Sequence, residues 1–365
     1  MIEINRKTFR DIDWPLLLAP IALTIFGCIG IYSTAPNSDF VKKQLIALGI
    51  GLAIAFAIMF TDYRKIVHDF APIFYGIVMV LLVLVLFIGA TINGNKAWLH
   101  IPGLPSIQPS EFAKVATILM LARYLAKARS GGDLTLKNMI VMAGIALPPI
   151  FLIALEKDTG TMLTFGAILG AFYFLGGAPK KYIIVAIIAL PLALIALYPF
   201  LRGYQKERID VIINPEKADP RGYAYQTIQS VIAVGSGGVV GKGIGEGTQG
   251  KLGFLPYAYS DFIAAVIAED LGFVGILIMM ALYLIFIWRL TMVALGSRER
   301  AGALMVMGFV ALITFHIFCN LGMVAGIMPI MGIPLPLMSQ GGTAIMSMFA
   351  GVGLALSVRF RRFVN

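Results

Sequence analysis

The stretch Phe254-Leu255-Pro256-Tyr257-Ala258-Tyr259-Ser260-Asp261-Phe262-Ile263 closes a polar loop and opens an apolar run that reaches residue 288, whose only charged residues are Glu269-Asp270. A run of this kind reads as a membrane-spanning helix, because about 20 helical residues cross roughly 30 Å of hydrocarbon. The acidic pair lies about 12 Å deeper than Asp261 along such a helix. Each charge at that depth costs about 2.5 to 3.5 kcal/mol on insertion scales, so the pair predicts a wet, protein-lined cavity below Asp261, with Glu269 and Asp270 as its carboxylates. Asp261 itself has two readings, a cap for the first free amides of the span or a functional carboxylate at the loop mouth.

The rest of the chain agrees with a membrane class. Of 365 residues, 59% are hydrophobic and 13% charged, and the mean hydropathy is +0.88, a balance that excludes a soluble domain with a polar surface. Ten apolar stretches of spanning length lie near 14–34, 44–60, 70–92, 110–126, 138–155, 161–177, 182–199, 262–288, 301–321 and 341–358. The expectation is a single all-α polytopic domain over 1–365 with about ten transmembrane helices. The first stretch follows a short charged head without a small-residue cleavage site, so it is expected to be retained.

Basic residues orient the spans. Arg6, Lys7 and Arg10, Arg64-Lys65, Arg123 to Lys137, Lys180-Lys181, Arg289 to Arg300, and Arg359, Arg361 and Arg362 fall at both termini and in every second connection. That alternation places both ends in the cytoplasm. It leaves one large extracytoplasmic loop, residues 200–261, between the seventh and eighth spans. This loop carries seven Lys or Arg, which count weakly in a loop so long. The net charge of +10 is then mostly topology and calls for no nucleic-acid partner, though it adds affinity for an anionic lipid headgroup or a diphosphate. Cys28 and Cys319 fall within spans and read as core residues. No nucleotide loop of the G-x-x-x-x-G-K-[ST] type occurs, and the glycines between 235 and 247 lack a dinucleotide setting.

Four polar clusters fall on the outer side. Gly94-Asn95-Lys96-Ala97-Trp98 leads to Gln108-Pro109-Ser110-Glu111, where proline and serine start a helix and Glu111 and Lys114 share a face one turn apart. They form either a self-contained ion pair or an ammonium set to meet phosphate. Glu156-Lys157-Asp158-Thr159-Gly160 reads as a tight turn in which Asp158 caps the next helix or meets substrate. The long loop offers Gln226, Gln229, Ser230, Thr248 and Gln249 amid glycines, with apolar runs that suit re-entrant or interfacial helices. The fourth cluster is 254–270, walled by the proline-stiffened loop 329–342.

Taken together, Gln108-Pro109-Ser110-Glu111-x-x-Lys114, Leu255-Pro256 through Asp261-Phe262-Ile263, and Pro334-Leu335-Pro336-Leu337 with Ser339-x-Gly341-Gly342 resemble the SEDS family of peptidoglycan glycosyltransferases across nearly the whole chain. Gly247-Thr248-Gln249 resembles the family's rod-shape branch rather than its division branch. The chain departs from the family pattern at Glu156-Lys157, where Gln-Pro is usual, at Gln340, where tyrosine is usual, and at Asp270, where a second glutamate is usual.

The resemblance implies a multi-pass enzyme of the bacterial cytoplasmic (inner) membrane that polymerises lipid II on the outer face during cell elongation, with inversion. Asp261 would be the general base on the acceptor hydroxyl. Glu111, Lys114, Asp158, Gln249, Ser339 and Gly341 would contact substrate, with Lys114, Lys242 or Arg208 on the leaving diphosphate. It further implies Mg²⁺ or Mn²⁺, whose ligands the sequence does not name, no nucleotide, a class B penicillin-binding protein as transpeptidase partner, and other elongasome membrane proteins. Two rival classes fit some of the same residues. A lipid II flippase would also need midplane charges, whereas a non-catalytic scaffold would need no carboxylate at the loop mouth.

Overall fold

The computed structural model describes residues 12–92, 95–100, 106–128, 134–185 and 223–362, together with positions 188, 198, 203 and 206. Among the described residues the regular elements are helices apart from one small hairpin and an isolated Leu99–Ile107 bridge. Helix α1 covers Trp14–Thr34 and α2 Phe40–Phe60. Helix α3 covers Tyr63–Ile88, with a π-helical turn at Ile66–Phe70. Strands β1 (Ala90–Ile92) and β2 (Asn95–Trp98) pair antiparallel. Helices α4 (Pro109–Lys127), α5 (Leu136–Leu155) and α6 (Thr159–Leu175) follow. After the long loop come α7 (Tyr223–Ser236), the short α8 (Thr248–Lys251), α9 (Ile263–Leu295), α10 (Arg300–Val324) and α11 (Gly342–Phe360).

Among the described residues, seven helices are long and apolar enough to cross a membrane: α1, α2, α3, α5, α9, α10 and α11. Helix α6 is apolar but has 17 residues. Helix α4 carries Glu111, Lys114, Arg123 and Lys127 along its length. The expected seventh span at 182–199 and the basic amino-terminal head lie almost wholly outside the described residues. Two helices begin earlier than the apolar stretches that announce them. Helix α2 starts at Phe40 and takes in Lys42, Lys43 and Gln44, and α3 starts at Tyr63. Apolar patterning trims such polar first turns, although the backbone continues through them.

Burial follows position in the bundle. Helix α3 exposes most of its apolar surface, while α11 is buried along nearly its whole length. The main pairings are α2 with α11 and α1 with α9, and α4 and α10 also meet. Glycine permits the closest approach. A Cβ on Gly353 would fall 2.6 Å from the Ala55 carbonyl oxygen, and one on Gly51 would fall 3.1 Å from Phe349.

Helix α9 is broken. Gly272 has φ 63° and ψ −158°, a conformation that glycine adopts readily and that ends the i→i−4 ladder. Freed backbone groups within a bilayer must find other partners, and here residues 238–243 supply them. Gly238 and Val239 carbonyls accept from Phe273 and Val274 amides at 2.9 and 3.1 Å. Lys242 and Gly243 amides donate to Glu269 and Asp270 carbonyls at 3.0 and 2.9 Å. Glycine is required on both sides, because a Cβ on Gly237 would overlap the Ala268 carbonyl oxygen and one on Gly241 that of Asp270.

Candidate active site

One end of the bundle holds a cavity of about 850 Å³, and its wall brings together Asp261, Glu111, Lys114, Asp158, Ser339 and Gly341. These residues come from four separate parts of the chain. Trp98, His100 and Gln108 complete the wall near the hairpin, and His316 comes from α10.

Asp261 sits in a turn at the start of α9, where the Tyr257 carbonyl accepts from the Ser260 and Asp261 amides at 3.0 and 3.1 Å. Three successive carbonyls of this turn are each held by a donor from elsewhere. The Gln340 amide takes Tyr259 O at 3.0 Å, the Ser339 hydroxyl takes Ser260 O at 2.5 Å, and Asn320 Nδ2 takes Asp261 O at 2.8 Å. The carboxylate faces Gly332, where a Cβ would come within 3.7 Å of Asp261 Oδ2.

The proline-rich segment 333–339 is a strap whose carbonyls cannot join a helix, since proline lacks the amide and restricts its neighbours. Side chains satisfy them instead. Asn320 Nδ2 donates to Ile333 O at 2.9 Å, Tyr283 Oη to Pro336 O at 2.5 Å, and Gln44 Nε2 to Ser339 O at 3.0 Å. His316 Nδ1 lies 3.1 Å from Pro334 O, which places the ring proton on Nδ1, because a carbonyl only accepts.

Glu111 and Lys114 form an ion pair at 2.8 Å, with side chains 5% and 2% exposed. Both expected readings meet here, for the pair is self-contained and also lines the cavity. Glu111 Oε2 accepts from the Ser347 hydroxyl at 3.3 Å. Asp158 caps α6 by accepting the Thr161 amide at 3.0 Å and hydroxyl at 2.8 Å, and Gln108 Nε2 reaches it at 3.3 Å. Burial raises the Asp158 pKa against the pull of those bonds. In the same connector, burial and then the charge of Asp158 push Glu156 up to about 8, and neither Glu156 oxygen has a hydrogen-bond partner among the described residues.

The second acidic cluster departs from expectation. Neither Glu269 nor Asp270 lines the cavity, and each is 1% exposed, so they are not the carboxylates of a wet chamber below Asp261. The charge of Glu269 is met by the returning loop. Lys242 Nζ lies 2.7 Å from Glu269 Oε1. The Thr248 amide reaches the same oxygen at 2.8 Å, and the Gln249 amide reaches Oε2 at 3.1 Å. A Cβ on Gly247 would overlap Asp270 Oδ1. Lys242 and Gln249, expected on substrate, thus sit against Glu269 and away from the cavity wall. Arg208 lies outside the described residues.

Sequence reading passed over Gln44, His316 and Asn320. The last two stand four residues apart on an apolar helix, a polar pair of the kind that marks a working face within a membrane.

Residues 16–362 match the model of the cell cycle protein family FtsW/RodA/SpoVE. The chain belongs to this family. It is 37% identical over 364 residues to the peptidoglycan glycosyltransferase MrdB of Escherichia coli K12, covering 98% of this chain and 97% of that protein. Its structure matches a chain of a peptidoglycan synthase complex described as coordinating polymerization and crosslinking, with a TM-score of 0.83 and 32% identity over 97% of this chain and 99% of that one. The rod shape determining protein RodA of Thermus thermophilus matches with a TM-score of 0.73 and 29% identity over 97% and 98%. The expected likeness to the rod-shape branch is borne out by these relatives. Like other members, this FtsW/RodA/SpoVE protein is a multi-pass protein of the bacterial inner membrane.

Proposed function

We propose that this protein is a peptidoglycan glycosyltransferase that polymerises lipid II on the outer face of the cytoplasmic membrane during cell elongation. The observation that carries the reading is the convergence of Asp261, the Glu111–Lys114 pair and Asp158 on one cavity at the mouth of the loop. The relatives' activity agrees with it.

Asp261 is the general base. It takes the proton of the acceptor sugar's 4-hydroxyl as that oxygen attacks the anomeric carbon of the growing chain, and the bond to the diphosphate breaks with inversion. The three tied carbonyls fix the turn that carries the base, a form of preorganisation that needs no motion at the moment of reaction. Lys114, Asp158, Ser339 and Gly341 line the surface on which the sugars and diphosphate lie.

A divalent cation, Mg²⁺ or Mn²⁺, suits this donor set. Among the described residues no group of three or more His, Cys, Asp or Glu gathers to hold a metal, and such a cation is commonly held by one or two carboxylates together with phosphate oxygens. Glu111, Asp158 and Asp261 are the carboxylates of the cavity wall. When bound, the cation would neutralise charge on the leaving diphosphate.

The chain forms one domain of ten spans with both termini cytoplasmic and the large loop outside between the seventh and eighth. A class B penicillin-binding protein supplies cross-linking, and other elongasome membrane proteins assemble with it. The structural match to a chain from a peptidoglycan synthase complex supports that partner. The test is purified protein in detergent with labelled lipid II and Mg²⁺ or Mn²⁺. Polymer ladders are expected from the parent and none from Asp261→Asn, and a parent that makes no polymer under any metal condition overturns the reading.

A further inference from the structure

Apart from Cys319, the polar side chains that α10 buries are His316 and Asn320. His316 meets the strap, at Pro334 O. Asn320 is 0% exposed, and a buried amide must be given partners. Its Nδ2 lies 2.8 Å from Asp261 O and 2.9 Å from Ile333 O. Both partners are carbonyls, which only accept, so the orientation of the amide is fixed and both of its N–H groups are spent. One nitrogen thus joins the turn that carries Asp261 to the start of the strap and fixes how far apart they lie.

That separation matters at the carboxylate. Gly332, the residue before Ile333, faces Asp261, and a Cβ on it would come within 3.7 Å of Oδ2. Gly332 has φ 67°, a left-handed conformation that glycine adopts readily, so the strap passes the carboxylate with backbone alone. Asp261 and Gly332 both line the cavity. The gap between them is open to the chamber, with the turn on one side and the strap on the other. The direct ties between strap and turn, from Ser339 Oγ to Ser260 O and from the Gln340 amide to Tyr259 O, lie at the far end of the strap and act on the residues before Asp261.

We infer that Asn320 is a positioning residue: its amide sets the gap between Asp261 and Gly332 in which the acceptor hydroxyl meets the base. The inference rests on the reading of Asp261 as general base. Asn320 does not itself line the cavity, so it acts through the turn and the strap rather than on the substrate. A base must stand within hydrogen-bond reach of the proton it takes, and a misplacement of about 1 Å in such a geometry costs about 10²-fold in rate. Loss of the Asn320 tie therefore falls on the chemical step and leaves substrate affinity in place.

The test is full-length Asn320→Leu in detergent, similar in size but without donors, assayed on lipid II with Mg²⁺ or Mn²⁺ beside the parent, Asp261→Asn and Tyr283→Phe. Rates are taken per folded molecule, with a melting curve on each preparation. Asn320→Leu is expected to lower kcat about 10²-fold while the KM for lipid II stays within about three-fold. Tyr283→Phe removes a tie to the same strap, at Pro336 O, without touching the turn, and should keep kcat within about three-fold of the parent. A merely structural role lowers the melting temperature and the folded fraction but does not divide kcat from KM. The inference is overturned by a parental kcat in folded Asn320→Leu, by a KM that rises as far as kcat falls, or by an equal loss of kcat in Tyr283→Phe. Should Asn320→Leu not fold, Asn320→Ser, with a smaller polar side chain, is read by the same split. Polymer from Asp261→Asn would sink the base assignment itself, whereas an inactive Asp261→Asn beside a fully active Asn320→Leu would sink the positioning role alone.

Discussion

Two acidic sites flank the first turns of α9, and they have opposite fates. Glu269 is surrounded by donors from its own chain, with Lys242 and the amides of Thr248 and Gln249 converging on it. Asp261 sits eight residues earlier, its turn held through backbone carbonyls while its carboxylate lines a large cavity. A buried charge in a membrane protein must be compensated, but the compensation takes two forms. One carboxylate is consumed in holding a loop against a broken helix, and the other is set in a cavity wall by a turn whose carbonyls are tied.

The comparison predicts unequal responses to the same kind of change. Asp261→Asn should lower polymerisation by about 10² to 10⁴-fold, the usual share of a positioned general base, with little change in thermal stability. Labelled lipid II ladders and a melting curve on one preparation check it, and near-normal turnover would erase the distinction between the two sites. Lys114→Met tests the intermediate case, a pair that is buried and also lines the cavity. Removing one partner of such a pair costs about 3 to 5 kcal/mol, so this variant should be much less stable than a surface pair would suggest. Glu111→Gln with Lys114→Met should recover much of that stability without recovering activity, and recovery of both would confine the pair to a structural role.

Glu269→Gln sharpens the other side. It keeps one acceptor but loses the charge that Lys242 and the loop amides address, at about 1 to 3 kcal/mol. The expected signs are a lower melting temperature and faster proteolysis within residues 237–249, with activity falling only in step with the folded fraction. A turnover loss as deep as that of Asp261→Asn in intact protein would collapse the contrast.

The smallest effect belongs to Glu156. Its carboxyl holds a proton up to about pH 8 when folded and releases it near 4.5 when unfolded. Between those values the folded state binds more protons, so this contribution to stability is full below 4.5, declines as pH rises through the interval, and is gone above about 8. Glu156→Gln should flatten that part of the stability curve in melts taken from pH 5 to 9.

Much of this was legible along the chain. Apolar run lengths located the long described helices, with α3 starting seven residues earlier and α9 ending seven residues later than read, and Gln108 to Lys114, Asp158, Asp261 and Ser339 to Gly341 converge as their motifs imply. The misreading of Glu269-Asp270 has a definite physical cause. Insertion cost shows that a buried charge needs partners, but it does not say which, and for Glu269 they are the Lys242 ammonium and the backbone amides of Thr248 and Gln249, 20 or more residues upstream. Periodicity is blind to such pairings. Lys43 of the cavity wall was missed for a related reason, because apolar counting starts α2 at residue 44, just past it.

The pairing of α2 with α11 has a consequence for how the protein is made. The Gln44–Gly341 hydrogen bond joins positions 297 residues apart, and Gly342, Ala344, Ile345 and Met348 of α11 complete the chamber wall. During synthesis the second helix therefore enters the bilayer long before the helix that will cover it exists. A nascent chain stalled ahead of residue 342 carries Asp261, its lysines and its strap but lacks the chamber wall that α11 supplies, and it leaves an unsealed seam along α2. The chamber is therefore completed by the last helix of the chain, and its wall closes only when α11 packs against α2.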